Sequence, residues 1–511
     1  MNLTAGELIS IPPPFVSFRR RVQQLIPGIV TLKDFQWQLA VKLIHGKRIF
    51  LMLPCNSGKT MVWVSHAVFL MLDLQRKSES QAVTVVSAPM NQIIKGQMQL
   101  INSIPGMRAI SYKDDPEGTK EAFTDETLAE YTVVFLNPHK SHGTDFETLI
   151  RNSKELRIRN MAFDEGGILT KWGAGDTFRR VLREQKKYLI AWYNACRQKM
   201  PFVLFTGAAN PETCELLTGY FLDPEEHWDI CIRRSPFTRM HIAFNVVVVP
   251  RRDHETRMVT KYVKEWAAAN PPPDKILVLT EFTKNLESQG NSLLLGLNPN
   301  DAASVHENVV NVHAHISCVN RETDLGRYER GRGQNGSNNE GAQNIIPHDR
   351  GINPRTLCGT YGMLLAGWDC PGIGLGVGRG QTDSIEDIIQ AMFRIARGLG
   401  NFGTFTCFAS WVRRLEQKWR RIETQFKQGA SDATIADAVR QMKMIDTLAN
   451  ILLYPDHRCF IQLFNEDIMG TVLESEVKSC QQCHPHDETR WCSSCIDKRS
   501  SKGVIQVSDC F

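Results

Sequence analysis

Short apolar runs recur along this chain, and each is followed by a longer amphipathic segment. RIFLML (48–53), AVTVVSA (82–88), YTVVFLN (131–137), RNMAFD (159–164) and PFVLFTG (201–207) form a first series. MVWVSHAVFLMLDL (61–74) has the length and apolar content of a buried helix. Continuously apolar strands are buried on both faces, and strands alternating with helices build a parallel sheet covered on both sides. One α/β layer domain over roughly residues 30–240 follows. After the prolines of 271–275 comes a second series: KILVLTEF (275–282), VVNVHAH (309–315), RTLCGT (355–360), IGLGVG (373–378) and GTFTCFAS (403–410). Between two of these, ERGRGQNGSNNEGAQ (329–343) is polar, glycine-rich and aperiodic, and reads as a surface insertion. From Trp411 the pattern turns helical, and from Cys459 it becomes cysteine-rich.

At 511 residues the chain exceeds what one core organises, and about two to four domains are expected. A composition of 42% hydrophobic and 23% charged residues is that of a globular protein. No apolar run approaches bilayer-spanning length, and the N-terminus lacks the charged-then-apolar order of a secretory signal. The expectation is an intracellular protein without a membrane partner. A net charge of +5 permits a nucleic-acid partner without demanding one. Inside a cell most of the 14 cysteines stay reduced. Cys459, Cys480, Cys483, Cys492 and Cys495 crowd into the last stretch and call for their own explanation.

LPCNSGKT (53–60) lies after a strand and before a helix, where a phosphate-binding loop belongs. Ser57, Gly58, Lys59 and Thr60 fit the G-x-x-x-x-G-K-[ST] pattern, whereas Leu53 replaces its first glycine. Backbone N–H groups and the helix dipole would cradle phosphates there. Lys59 would neutralise β- and γ-phosphates, and Thr60 would hold magnesium. The bland alternative is a strand–turn–helix junction with a solvated lysine. FDEGG (163–167) ends a strand of the same series: Asp164 would hold the metal and Glu165 would deprotonate the attacking water. In QAMFRIARGLG (390–400), Arg394 and Arg397 are three apart, so both would project from one helix face toward developing phosphoryl charge. A solvated basic face is the competing reading.

From about Lys33 to Asp497 these stations, in order, resemble the RecQ family of DNA helicases, especially its diverged fungal members. DFQWQLAVKLIHGKRIFLMLPCNSGKT resembles the family's adenine-reading segment and P-loop, with Gln38 in the adenine-reading role. VVSAPMNQIIKGQ (85–97) is similar to the next motif, which touches the DNA backbone; Asn91 lies in it. FDEGGILTKWGAGDTFRRVL (163–182) resembles the acidic box running into an aromatic-rich loop that senses single-stranded DNA. Trp172, Gly173, Phe178 and Arg179 fall on that loop's W-G and F-R residues, and an aromatic ring stacks bases whatever their sequence. FTGAANPE (205–212), TYGMLLAGWDCPGI (360–373) and SIEDIIQAMFRIARG (384–398) match later motifs, the last the arginine-finger helix.

The resemblance implies two tandem RecA-like P-loop domains with doubly wound parallel sheets, over 33–243 and 244–427. An N-terminal extension (1–32) would precede them and a small helical zinc-binding C-terminal module (428–511) would follow. It implies ATP, bound in the cleft between the domains, with Mg2+ and Zn2+ as further cofactors. Zinc would sit on Cys459, Cys483, Cys492 and Cys495, with Cys480 as the alternative to Cys483 and His484 or His486 as other substitutes. Disulfides are the competing reading of these cysteines. The activity implied is 3′-to-5′ movement on single-stranded or partly duplex DNA, in repair or recombination, in the nucleus. The helix WVRRLEQKWRRIETQFK (411–427), with six basic and two acidic residues, would lie along phosphates or be solvated.

Three departures stand out. Gly166-Gly167 replaces the family's Ala-His, TGAA replaces TSAT, and Cys55-Asn56 replaces Thr-Gly. The first two touch communication between nucleotide and DNA, so the chemistry is expected intact and its coupling loosened. Nothing after the zinc cysteines encodes a winged helix, so tracking on single strands is expected over duplex unwinding. The rival is a helicase fold kept as a nucleic-acid-binding scaffold; a DEAD-box RNA helicase is a further alternative.

Overall fold

The computed structural model describes residues 13–29, 31–54, 57–77, 82–88, 91–111, 130–136, 158–173, 189–190, 194, 200–233, 242–249, 252–270, 275–280, 309–312, 356–360, 372–379, 385–395, 402–409, 411–453 and 459–469. The chain divides into two compact units, Met1–Pro236 with Ile468–Gly470, and Phe237–Asp467 with Thr471–Phe511.

The first unit opens with α1 (Pro13–Leu25) and α2 (Asp34–Ile44) and continues with β1 (Arg48–Met52), α3 (Thr60–Lys77), β2 (Val83–Ser87) and α4 (Asn91–Asn102). Then come β3 (Ala109–Ser111), β4 (Val133–Leu136), β5 (Ile158–Phe163), α5 (Gly166–Gly173), β6 (Phe202–Thr206), α6 (Pro211–Phe221) and β7 (Ile230–Arg233). The strands form one sheet in the order β3-β4-β2-β5-β6-β1-β7, every pair parallel. β2, β4 and β6 are buried along their whole length, as continuously apolar runs require. Phe163, Phe202, Phe221 and Trp228 pack as a ring cluster, with Phe163 and Phe221 centroids 4.6 Å apart. Asn210 starts α6: its side chain accepts the Thr213 N–H at 2.8 Å, and Pro211 follows with its pre-set φ.

α1 belongs to this unit, although residues 1–32 were expected to be a separate extension. Phe18 packs on Phe69 of α3 at 4.9 Å, Val22 is buried, and Arg19 pairs with Asp34 at 2.8 Å. Phe18 and Val22, four apart, share one face of α1.

The second unit comprises β8 (Ile242–Val248), α7 (Arg252–Ala269), β9 (Lys275–Thr280), β10 (Val309–Val312), β11 (Thr356–Thr360), β12 (Ile373–Arg379), α8 (Ile385–Met392) and β13 (Gly403–Ala409). Helices α9 (Trp411–Lys427), α10 (Asp432–Leu453) and α11 (Phe460–Met469) follow. Its sheet, again parallel throughout, runs β10-β11-β9-β12-β13-β8. Val259, Val263, Ile276, Val278, Leu375 and Val377 form the core under α7. The boundary expected at 243/244 cuts β8, which pairs residue by residue with β13 from Ile242 onward. Residues from 428 onward were expected to form a separate module, yet Phe460 and Phe464 of α11 pack edge-on against Phe244 of β8 at 5.3 and 5.0 Å. Through Phe460 and Phe464 this helical segment joins the second unit's core.

Candidate nucleotide site

The phosphate-loop residues and the acidic pair lie on the same edge of the first sheet. Ser57–Thr60 follow β1 and Asp164 follows β5, with only β6 between those strands. Two strand spacings amount to about 10 Å. Main-chain bonds tie the ends of these strands together: Leu53 N–H donates to Thr206 O at 3.2 Å, and Asp164 N–H to Ser87 O at 2.9 Å.

Gly58 has φ +85°, and a Cβ there would lie 2.4 Å from Gln36 Nε2. The positive φ favours glycine here, and the Gln36 amide closes on the space its missing side chain leaves. Gln36 is buried; its Nε2 donates to Gly58 O at 2.9 Å, while its Oε1 accepts the Lys33 N–H at 2.8 Å. Lys33 Nζ donates to Ser57 O at 3.2 Å. The start of α2 therefore clamps two consecutive carbonyls of the loop. Gln38, the residue expected to read adenine, is half-buried, and its Oε1 is buried without a hydrogen bond. The structure attaches Gln36, not Gln38, to the loop. The signal was present as a glutamine three residues into a helix, the reciprocal position of a capping box.

Lys59 Nζ donates to Leu53 O at 3.0 Å and Pro54 O at 3.1 Å. The cation is thus held by its own loop, and phosphate would have to replace these carbonyls. Ser57 Oγ is buried without a hydrogen bond. Thr60 is the first residue of α3 and half-buried, so its hydroxyl sits at the helix N-terminus. Cys55 and Asn56 lie outside the described residues.

Glu165 has φ +50° and is the one non-glycine residue with positive φ among those described. Such backbone strain is characteristic of functional sites. The conformation lets Glu165 N–H donate to Asp164 Oδ1 at 2.9 Å. Asp164 Oδ2 accepts from Gln97 Nε2 at 2.7 Å, so both carboxylate oxygens carry one hydrogen bond and retain lone pairs. A hydroxyl and a carboxylate are the hard oxygen donors that magnesium takes, so Thr60 and Asp164 fit that ion. Gln97 on α4 was not singled out by the sequence reading.

The double glycine after Glu165 has a packing reason. A Cβ on Gly166 would meet Leu204 Cδ1 at 2.8 Å and Phe205 O at 3.2 Å; one on Gly167 would meet Thr206 Oγ1 at 3.2 Å. Thr206 Oγ1 in turn donates to Ala208 O at 3.1 Å. Two of the three departures, Gly166-Gly167 and Thr206–Ala209, therefore lie against each other in a close backbone contact.

Asn91 opens α4 and Trp172 lies in the last turn of α5, a helix where an aromatic-rich loop was expected. Phe178 and Arg179 lie outside the described residues. In the second unit Arg394 is buried in the turn after α8, its N–H donating to Ala391 O at 3.0 Å. The helix expected to carry it ends at Met392, and Arg397 lies outside the described residues. Cys459 is buried immediately before α11. Cys480, Cys483, Cys492 and Cys495 lie outside the described residues, within which no cluster of three metal-ligating side chains occurs. Nor is any helix among the described residues long and apolar enough to cross a membrane.

Residues 33–217 match the family model described as DEAD/DEAH box helicase. Among curated proteins, "ATP-dependent DNA helicase Q-like 5" of Arabidopsis thaliana is 19% identical over 291 residues, 52% of this chain. That match spans only 30% of the relative's length. Among solved structures, the DEAD-box helicase Mss116 bound to ssRNA superposes with a TM-score of 0.56 at 12% identity, covering 90% of each chain. The DUF1998 helicase MrfA bound to DNA gives 0.54 at 15% identity, covering 81% of this chain and 54% of that one. Residues 33–217, within the first unit, are thus similar to a DEAD/DEAH box helicase domain, and the two-sheet fold is shared with these solved helicase structures.

Proposed function

We propose that this protein is an ATP-dependent DNA helicase or translocase of RecQ type, moving 3′ to 5′ on single-stranded or partly duplex DNA. The observation that carries the reading is the pairing, on one sheet edge, of a left-handed Gly58 before Lys59-Thr60 with a left-handed Glu165 after Asp164. In this reading Lys59 leaves Leu53 O and Pro54 O to neutralise the β- and γ-phosphates of ATP. Thr60 and Asp164 would hold magnesium, which would supply positive charge to the phosphates. Glu165 takes the proton of the attacking water, and Arg394 and Arg397 stabilise the charge of the transferring phosphoryl group. Gln36 takes over the adenine-side role first assigned to Gln38.

Asn91, Trp172, Phe178 and Arg179 are assigned to DNA, gripped mainly through phosphates. α9 adds support: Trp419 (58% exposed) and Phe426 (71% exposed) lie seven residues apart on one helix face, beside the exposed Arg420 and Arg421. Exposed aromatic rings amid cations suit unpaired bases. Zinc on Cys459, Cys483 (or Cys480), Cys492 and Cys495, and a nuclear role in repair or recombination, belong to the same proposal.

One observation favours a second reading, the scaffold: Lys59 is already engaged by its own loop carbonyls. ATP hydrolysis, measured alone and with single-stranded DNA or RNA, beside Lys59→Ala and Glu165→Gln, separates the two. DNA-stimulated turnover abolished by both substitutions is the expected result. Stronger stimulation by RNA would transfer the activity to an RNA substrate. Absent turnover with salt-sensitive DNA binding would establish the scaffold.

A further inference from the structure

We infer that Gln97 is a positioning residue of the metal–nucleotide site: its side-chain amide fixes the Asp164 carboxylate and offers a second, unused acceptor beside it. The inference rests on the proposed function and gives Gln97, the last residue of the stretch read as touching the DNA backbone, a role at the nucleotide site instead. Gln97 lies on α4, which follows β2, and β2 pairs directly with β5, the strand that ends at Asp164. Its side chain is 9% exposed, and its Nε2 donates to Asp164 Oδ2 at 2.7 Å. A carboxylate only accepts, so the amide nitrogen must face it and the amide oxygen must point elsewhere. That oxygen, Gln97 Oε1, is buried without a hydrogen bond. Buried amide oxygens are seldom left unpaired, and one placed beside a strained acidic pair is explained by a donor that comes with the ligand. A metal-bound water is the donor chemistry that fits, since it would bind Asp164 and donate onward to Oε1.

With the Glu165 N–H on Oδ1, the Gln97 bond on Oδ2 holds the carboxylate at both oxygens. Hydrogen-bonding partners of metal-binding carboxylates set their orientation, and losing one typically weakens metal binding or activity about 10- to 100-fold. A tether that merely docks α4 onto β5 would leave metal affinity unchanged.

The test is an electron paramagnetic resonance titration of Mn2+ into the full chain carrying a non-hydrolysable ATP analogue. Gln97→Met keeps the side chain's length and removes the amide; Gln97→Asn keeps the amide and withdraws its reach, a second variant should the first fail to fold. The expected result is Mn2+ binding weakened about 10- to 100-fold, with analogue affinity in EDTA within about twofold of wild type. Unchanged Mn2+ affinity in a folded variant overturns the inference while leaving the proposed function standing. Equal Mn2+ binding by wild type and Asp164→Asn, or none by wild type, overturns both.

Discussion

Two glycine-bearing stretches, LPCNSGKT (53–60) in the first unit and IGLGVGRG (373–380) in the second, use the same residue for opposite ends. Gly58 sits at a strand end with φ +85°, where its lack of a side chain lets a loop turn and Gln36 close on it. Gly376 lies inside β12, where a Cβ would meet Ile395 Cδ1 at 2.2 Å and a Phe405 ring carbon at 2.6 Å. The first glycine lets the loop at 57–60 turn in its left-handed conformation; the second lets the core after α8 and across β13 close onto the sheet. Ionic groups divide the same way. The first unit keeps Lys59, Asp164 and Glu165 half-buried at its strand ends, where they can meet a ligand. The second buries Arg379 against Glu255 at 3.7 Å, both nearly inaccessible, with Thr256 Oγ1 also accepting from Arg379. Burial there pushes the Cys358 and Cys407 thiols up to about 12. A glycine or a charge in the sequence thus names a constraint; whether it is chemistry or packing depends on its place along the strand.

The largest test of that contrast is Glu255→Ala, which leaves a buried guanidinium without its carboxylate. A loss of about 3–5 kcal/mol is expected, read as a lower urea midpoint for the full chain, with nucleotide affinity unchanged. Next, Gly376→Ala should cost about 1–3 kcal/mol of stability through overpacking. Gly58→Ala should instead remove nucleotide binding, measured by calorimetry; equal stability losses with nucleotide binding intact in both would dissolve the comparison.

The last test is in pH. Burial lowers the His66 pKa on α3 from 6.5 to about 3, so the folded chain keeps this imidazole neutral while the unfolded chain protonates it. The folded value is the lower one, so stability is full above 6.5 and falls as pH drops toward 3, by about 1.4 kcal/mol per unit. In the second unit burial, then the charge of Glu386, raises Asp467 from 3.8 to about 7. Its sign is opposite: stability is full below 3.8 and declines as pH rises toward 7. His66→Leu should therefore flatten the acid limb of the urea midpoint, and Asp467→Asn the limb between 3.8 and 7.

The strand series was legible because interior parallel strands must be apolar on both faces: β1, β2, β4, β5, β6, β9, β11, β12 and β13 all coincide with runs read from the sequence, and so does the edge strand β10. β3, β7 and β8 were missed. All three are edge strands, covered less completely; β7, for example, is half-exposed at three of four residues. β3 is only three residues long, β7 carries Arg233, and the apolar run of β8 is interrupted by Asn245.

The sequence by itself determined the α/β architecture and the order of the chemical stations, because both follow from local pattern: apolar runs, turn residues, and the Gly58-Lys59-Thr60 and Asp164-Glu165 pairs. Which side chains serve those stations was decided only by the tertiary structure. Gln36 and Gln38 are equivalent in composition and two residues apart, and only the approach of Gly58 selects Gln36. Gln97 is separated from Asp164 by 67 positions, and only the pairing of β2 with β5 brings its amide to the carboxylate. Gly166-Gly167, a loss when read as a motif, sits in tight packing where α5 meets the end of β6. Hydrogen bonds and close packing act over a few ångströms of space, whatever the separation along the chain, so pattern can announce a site but not its full membership.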